Sequence, residues 1–319
     1  METGPTVSVV LPVWNGERFL AEAVDSVLSQ TLEDIELLLV DDGSTDATVG
    51  IAEGFASRDG RVRVVRMTRS GIAYALNAGI ARARGRYVAR MDADDICRPT
   101  RLQRQVAWLD AHPGCVALGS AVEVIDETGE HLGWRTFPES HADISYALIH
   151  RWSAALAHPT VVTRRDVLLQ VGGYRPDRVP SEDLDLWIRL SEVGTLANIN
   201  EQLLRYRRHR GAVSVRKRGE QFTTSLRIVN DARRLKGLAP LARRILSPGR
   251  CALAMYHFEC ARTALMMGPR AAAIRHARAS IASDPTWPEP WIALAACAFP
   301  KWTLRSLLGL SERFRPLRL

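Results

Sequence analysis

Two short runs constrain this chain most: residues 7–13 (VSVVLPV) and 35–40 (IELLLV) are dense in apolar, β-branched side chains and too short for buried helices. Each suits a strand covered on both faces, the situation of a parallel sheet wrapped by helices. After the first run Leu20, Val24, Val27 and Leu28 fall on one helical face, with Asn15 as the expected cap. After the second, Ser44 and Asp46 are candidate caps for a helix over 47–56. Strands at 61–67 and 86–91 enclose a helix at 72–82, so strand and helix alternate four times with short connections. That order predicts an α/β fold with a Rossmann-like, mostly parallel sheet and helices on its faces. Ligands bind such sheets at the carboxyl ends of the strands. Here those ends carry Asp41-Asp42 and Asp92-Ala93-Asp94-Asp95.

Beyond Pro99 the pattern predicts a helix to about residue 111, a strand over 115–125, and a variable stretch to Trp152. A strand at 159–163, a turn at Gly172-Gly173 and a helix opening at Glu182-Asp183 follow. From about Gln221 the sequence becomes Ala- and Arg-rich and reads as helices only, with 261–282 and 288–298 as an antiparallel pair of loosely tetratricopeptide-like spacing. The expected division is a catalytic domain over 1–220 and a basic, all-α extension over 221–319.

The net charge of +8 conceals two unlike parts. Residues 1–200 hold 20 Lys and Arg against 28 Asp and Glu, whereas residues 201–319 hold 23 against 7. The acidic part excludes nucleic acid as its ligand by repulsion, and the basic part suits an anionic surface. The five cysteines lie at long spacings without a C-x-x-C pair, so neither a zinc site nor a disulfide framework is expected. No run approaches the roughly 18 apolar residues of a membrane span. With no basic, apolar leader at Met1, the expectation is a cytoplasmic chain.

Three carboxylates in four positions, Asp92, Asp94 and Asp95, repel one another unless a cation or hydrogen-bond donors compensate. A hard divalent ion, Mg²⁺ or Mn²⁺, is an economical compensator, because it takes its remaining ligands from water and a substrate diphosphate. A solvated acidic loop, with Asp95 capping the next helix, is the competing explanation. Asp41-Asp42-Gly43-Ser44-Thr45-Asp46 offers carboxylates to a base or ribose, and as a lone hexapeptide it is equally a capped turn. Pro12-Val13-Trp14-Asn15-Gly16 stands where a dinucleotide-binding chain would carry G-x-G-x-x-G, which argues against a nicotinamide cofactor.

Taken together these segments resemble family 2 glycosyltransferases of the GT-A fold. The resemblance rests on 7–16, Ser26–Thr31, Asp41–Asp46, Gly71-Ile72 with Ala75–Ile80, Asp92–Asp95, His158-Pro159-Thr160, Gly172-Gly173-Tyr174 and Ser181–Trp187, in that order, and spans about residues 5–215. It implies a nucleotide-diphospho-sugar donor, a divalent metal on the diphosphate, and transfer to an acceptor hydroxyl with inversion. By position, Pro12, Val13 and Trp14 would line the nucleotide pocket, Asp42 would contact the base beside Asp41, Asp92 would face ribose or metal, and Asp94 would be the principal metal ligand. Asp183 would be the general base, with Glu182 and Asp185 as alternatives. His158 would lie near the acceptor side, and Arg207 and His209, in Tyr206-Arg207-Arg208-His209-Arg210, near the diphosphate. A solvated basic loop explains that last segment equally well.

The absence of spanning helices suggests transfer without extrusion of a polymer, for instance to a saccharide or lipid-linked acceptor in cell-surface polysaccharide or glycolipid synthesis. The basic clusters Arg216-Lys217-Arg218, Arg233-Arg234-Lys236 and Arg243-Arg244, with the Trp- and Leu-bearing tail 301–310, would suit peripheral contact with an anionic membrane at its inner face. Two other functions stay open at this point: a sugar-nucleotide nucleotidyltransferase, and a helical adaptor carrying a degenerate transferase domain.

Overall fold

The computed structural model describes residues 4–151, 155–212, 217–241 and 252–299. It divides into two compact units, one of residues 1–122, 136–150 and 154–205, the other of residues 123–135, 151–153 and 206–319.

In the first unit β1 (Val7–Val13) is the hub of a parallel sheet, paired with β2 (Ile35–Asp41) on one side and β4 (Tyr87–Arg90) on the other. β3 (Val62–Arg66) extends the parallel part beyond β2. With β5 (Ile96–Cys97), β6 (Cys115–Ile125), β7 (His131–Arg135), β8 (Val162–Arg164) and β9 (Thr195–Arg207), the strands run in the order β3-β2-β1-β4-β8-β6-β9-β5, with β7 paired to β6. Chain direction reverses at β8, which is antiparallel to both β4 and β6. β2 is buried along its whole length and β1 at all but one position, as their composition requires. The sheet is thus mixed and helix-flanked, parallel over β3-β2-β1-β4 as the alternation predicts and antiparallel where β8 joins it.

Helices α1 (Leu20–Leu28), α2 (Thr48–Ala56) and α3 (Ile72–Arg82) are the crossovers. α3 packs tightly on the sheet at Gly79, where a Cβ would come within 2.5 Å of a Val10 methyl. α4 (Arg101–Ala111), α5 (His141–Tyr146), α6 (Arg165–Gln170) and α7 (Glu182–Ser191) complete the unit. Neither expected cap operates as such. The cap position of α1 is Phe19, while Asn15 takes a left-handed backbone (φ 49°) and its side-chain oxygen accepts from the Thr45 amide at 2.8 Å. Ser44 instead accepts from the Asn15 amide, and Asp46, one residue before the cap of α2, accepts from the Thr48 amide. These polar residues tie the β1 and β2 loops together, an arrangement that requires both loops to be close in space. The strand expected at 159–163 is a 3-10 turn, His158–Thr160, followed by β8, because Pro159 lacks the donor a ladder needs.

The end of the sheet opposite the strand carboxyl termini is closed around Glu36. Its buried carboxylate accepts from the Ser8 hydroxyl (2.7 Å), the Arg84 amide (2.8 Å) and the guanidinium of Arg63 (2.8 Å).

In the second unit, α8 (Arg218–Leu235), α9 (Ala252–Met267), α10 (Arg270–Ser283) and α11 (Pro288–Ala296) are the regular elements among the described residues beyond 217, in line with the expected helical extension. The single helix expected over 261–282 is two, since Gly268 and Pro269 stop α9 and restart the chain at α10. Gly268 also lies where a Cβ would strike the Leu132 carbonyl at 1.7 Å. Arg233, read as part of a basic cluster, is buried and its Nε donates to the Ala239 carbonyl at 2.7 Å. Residues 213–216, 243, 244 and 301–310 of the other clusters lie outside the described residues. Among the described residues no helix is long and apolar enough to cross a membrane.

The Glu36 network sets a stability test. Although burial opposes ionisation, the bonds from Ser8, Arg84 and Arg63 hold the Glu36 carboxyl below its ordinary 4.5. Its contribution is therefore complete above pH 4.5 and lost as pH falls through the depressed value. Glu36→Gln is expected to lower unfolding free energy by about 1–3 kcal/mol at pH 7 in urea titrations. The difference from wild type should shrink below pH 4.5.

Candidate active site

The three adjacent strands β2, β1 and β4 deliver their carboxyl ends to one side of the sheet. Trp14 follows β1, Asp42 follows β2 and Asp92 follows β4 by two residues, across the point where successive strands turn to opposite sides of β1. This is where open α/β sheets form a crevice. The Asp42 amide donates to the Val13 carbonyl (2.9 Å), and the Met91 amide to the Val10 carbonyl (3.1 Å), so the pairing of β1 with its neighbours continues into the loops.

Asp41 and Asp42 are both buried but differently used. Asp41 turns back to accept from the Ser44 amide (3.2 Å), closing the turn at Gly43. Gly43 has φ 72°, and a Cβ there would lie 2.7 Å from the Arg69 amide nitrogen, so only glycine fits. Asp42 accepts from the amides of Ser70 (2.7 Å) and Gly71 (2.9 Å) and pairs with Arg69. The Arg69 guanidinium also lies 4.1 Å from the centroid of the Trp14 ring, which is 43% exposed. Arg69 therefore joins the expected Trp14 and Asp42 in one half-open polar and aromatic corner. Its position after β3 was the available signal, since β3 ends at the same side of the sheet.

The second acidic cluster sits beside a buried cation. Arg90, the last residue of β4, is buried and paired with Asp92. Despite its burial, the negative charges of Asp92 and Asp95 raise its pKa further, so it is always charged. Asp92 is itself raised, by burial and by Asp94, while Arg90 pulls the other way. Each of Asp92, Asp94 and Asp95 places a carboxylate oxygen within 4.8 Å of those of the other two. Asp92 and Asp94 are half-exposed and Asp95 is buried. Oxygen-only donors at this spacing, two of them reachable from solvent, fit a hard divalent cation that keeps open positions for other ligands.

His158 lies on the same side, because β8 runs antiparallel to β4 and the Arg90 amide donates to the Val161 carbonyl at 2.9 Å. Its Nε2 shares a 2.7 Å hydrogen bond with the Tyr174 hydroxyl, and its ring meets the Trp187 edge at 5.7 Å. Burial, with Arg90 nearby, holds His158 well below its ordinary pKa, so the ring is neutral. Tyr174 is in turn fixed through its backbone: its amide donates to the Asn77 side chain (2.9 Å) and its carbonyl accepts from it (2.8 Å).

The three acidic residues at the start of α7 sit in three different environments. Asp185 is enclosed by cations, with Arg189 at 2.8 Å, Arg175 at 3.5 Å and Arg178 at 3.9 Å. Arg189 also donates to the Val171 and Gly173 carbonyls, so this group braces the Gly172-Gly173 turn. Glu182 is buried, and burial together with neighbouring Asp183 pushes its pKa up to about 7. Asp183 is half-exposed and is raised by burial, against the Leu184 amide and Arg90. Asp92 and Tyr174 both feel the charge of Asp183, which places the start of α7 beside the β4 cluster.

Of the remaining expected residues, Pro12 is half-buried and Val13 is buried at the end of β1. Arg207 ends β9 and is buried, so it is not part of a solvated loop, and His209 follows at a half-buried position. Both belong to the second unit. The residues not foreseen are Arg69, Arg90 and Tyr174 as a partner of His158. An arginine closing an otherwise apolar strand just before four loop residues with three carboxylates was a readable sign.

Comparison with known proteins fits this geometry. The family model described as glycosyl transferase family 2 matches residues 8–168. EpsE of Bacillus subtilis is 34% identical over 74% of this chain and 85% of its own length. The O-antigen biosynthesis glycosyltransferase WbnJ of Escherichia coli is 30% identical over 64% of this chain and 80% of its own. Among solved structures, the mannosyltransferase PcManGT from Pyrobaculum calidifontis, in complex with GDP-Man and Mn²⁺, superposes with a TM-score of 0.55 at 17% identity, covering 98% of this chain and 82% of that one. The acidic strand ends, the mixed sheet and these matches lead to one assignment: the chain belongs to glycosyl transferase family 2.

Proposed function

We propose that the crevice at the carboxyl ends of β1, β2 and β4 transfers a sugar from a nucleotide-diphospho-sugar to an acceptor hydroxyl, with inversion at the anomeric carbon. The observation that carries this reading is the meeting of three distinct chemistries in one place: the Trp14–Arg69–Asp42 corner, the Asp92–Asp94–Asp95 oxygens, and the half-exposed Asp183. Trp14 and Arg69 offer flat faces to a nucleobase, Pro12 and Val13 offer backbone, and Asp42, with Asp41 behind it, offers an acceptor to a ring N–H. Asp94 and Asp92 would hold Mn²⁺ or Mg²⁺, which supplies charge to offset that growing on the departing diphosphate.

Asp183 acts as general base. It takes the proton of the acceptor hydroxyl while that oxygen bonds to C1, the bond from C1 to the diphosphate oxygen breaks, and nucleoside diphosphate leaves with the electron pair. Glu182 supports this role instead of competing for it: the adjacent pair shares negative charge in a buried setting, and the more buried Glu182 keeps the proton up to about pH 7, leaving Asp183 ionised. Asp185, neutralised by three arginines, is unsuited to proton transfer. Neutral His158, held by Tyr174, would present its other ring nitrogen to the acceptor.

Kinship with WbnJ supports a saccharide acceptor in surface polysaccharide assembly. We also infer that the basic C-terminal segment, residues 221–319, rests on anionic lipid at the inner face of the membrane. Its excess of Lys and Arg, and the exposed Trp291, Ile292 and Phe299 at its end, are suited to that contact.

A screen of UDP-, GDP- and dTDP-sugars, with Mn²⁺ and with chelator, should reveal metal-dependent release of nucleoside diphosphate with one donor class. With that donor, Asp183→Asn is expected to lower turnover by about 10²–10⁴-fold while donor affinity is retained. Undiminished turnover in Asp183→Asn would assign the base elsewhere. For the membrane contact, cosedimentation with phosphatidylglycerol vesicles but not with phosphatidylcholine vesicles is expected at low salt. Equal, negligible binding to both would remove that part of the reading.

A further inference from the structure

Among the described residues Arg101 is the largest fully buried side chain, and none of its hydrogen-bond partners is a carboxylate. Its Nη2 donates to the Arg90 carbonyl (2.8 Å) and its Nε to the Gln105 side-chain oxygen (3.1 Å). Its Nη1 reaches the Cys97 sulfur (3.1 Å) and the Met91 sulfur (3.5 Å). Cys97 and Met91 are themselves buried. Arg101 is also the first residue of α4, where the helix dipole disfavours a cation. Packing alone would be served better by an apolar residue of similar volume.

The bonds themselves show what the cation does. Arg90 and Cys97 lie on either side of the acidic loop 92–95, and one guanidinium ties both: the carbonyl that precedes Met91-Asp92, and the side chain of β5 that follows Asp95. The tie is anchored in turn. The Gln105 side-chain nitrogen donates to the Thr160 carbonyl (2.8 Å) and the Leu118 carbonyl (3.1 Å), so the same frame holds the turn that carries His158. Two guanidiniums therefore support the carboxylates, Arg90 by pairing with Asp92 and Arg101 by clamping the loop's ends.

We propose that Arg101 is a positioning residue, which pins both ends of the 92–95 loop and thereby sets its affinity for the divalent metal. The proposal rests on the reading of Asp92 and Asp94 as metal ligands. The planar, forked donor set is essential to it, because a lysine would keep the charge but could not span a backbone carbonyl, an amide and a thiol at once.

The test is titration of the full-length protein with Mn²⁺ alone, following free Mn²⁺ by electron paramagnetic resonance, for wild type, Arg101→Met, Arg101→Lys and Asp94→Ala. Wild type should bind one ion and Asp94→Ala should not. Arg101→Met is expected to raise the Mn²⁺ Kd by about 10–100-fold, the usual consequence of losing a group that orients metal ligands. Arg101→Lys should fall between, and it carries the test if the methionine variant fails to fold. In turnover, both variants should need more Mn²⁺ to reach half-maximal rate while recovering most of the rate at saturating Mn²⁺. A folded Arg101 variant with wild-type Mn²⁺ affinity would overturn the proposal and leave the metal site intact. A wild type that binds no Mn²⁺, or an Asp94→Ala variant that binds it equally, would overturn the metal reading and this proposal together.

Discussion

The buried guanidinium of Arg90 is the charge on which the acidic crevice depends. Asp92, Asp94, Asp95, Glu182 and Asp183 could not be gathered at one end of a low-dielectric sheet without a cation among them. Arg90 meets that need from beneath, paired with Asp92 and felt by Glu182, Asp183, His158 and Tyr174. It also has a second effect. It adds to burial in keeping His158 neutral, and it opposes the rise that burial gives Asp183.

Support for that cation comes from the sheet. Parallel pairing of β1 with β2 and β4 aligns Trp14, Asp42 and Asp92 without long connections, and the reversal at β8 brings His158 back to the same end. Glu36 closes the opposite end with a network of its own. The two ends place their carboxylates differently: Glu36 is buried among donors, whereas Asp94 and Asp183 reach solvent.

The elements most legible in the sequence were those with continuous apolar runs. β1, β2, α3 and α4 lie where periodicity and composition place them, because burial on both faces leaves few alternatives for such segments. β9 is the clearest omission: its thirteen residues, TLANINEQLLRYR, mix polar and charged positions without alternation, since its surroundings change along its length. The capping assignments to Asn15 and Ser44 were locally reasonable. They gave way because the β1 and β2 loops satisfy each other across about thirty residues of chain, a partner that local sequence cannot disclose.

The order of motifs from residue 7 to Trp187, and the acidic strand ends, were enough by themselves to point to the family, the parallel core of the sheet and the candidate carboxylates. The environment of each carboxylate was decided only in three dimensions. Asp185 is silenced by arginines at positions 175, 178 and 189, and Glu182 is buried beside Asp183. Arg69 and Arg101 acquire their places through strands and helices distant in sequence from their partners. Motif spacing reports which groups can share a strand end, but proton affinity and charge compensation depend on burial and on neighbours from other elements. Those are properties of packing, not of order along the chain.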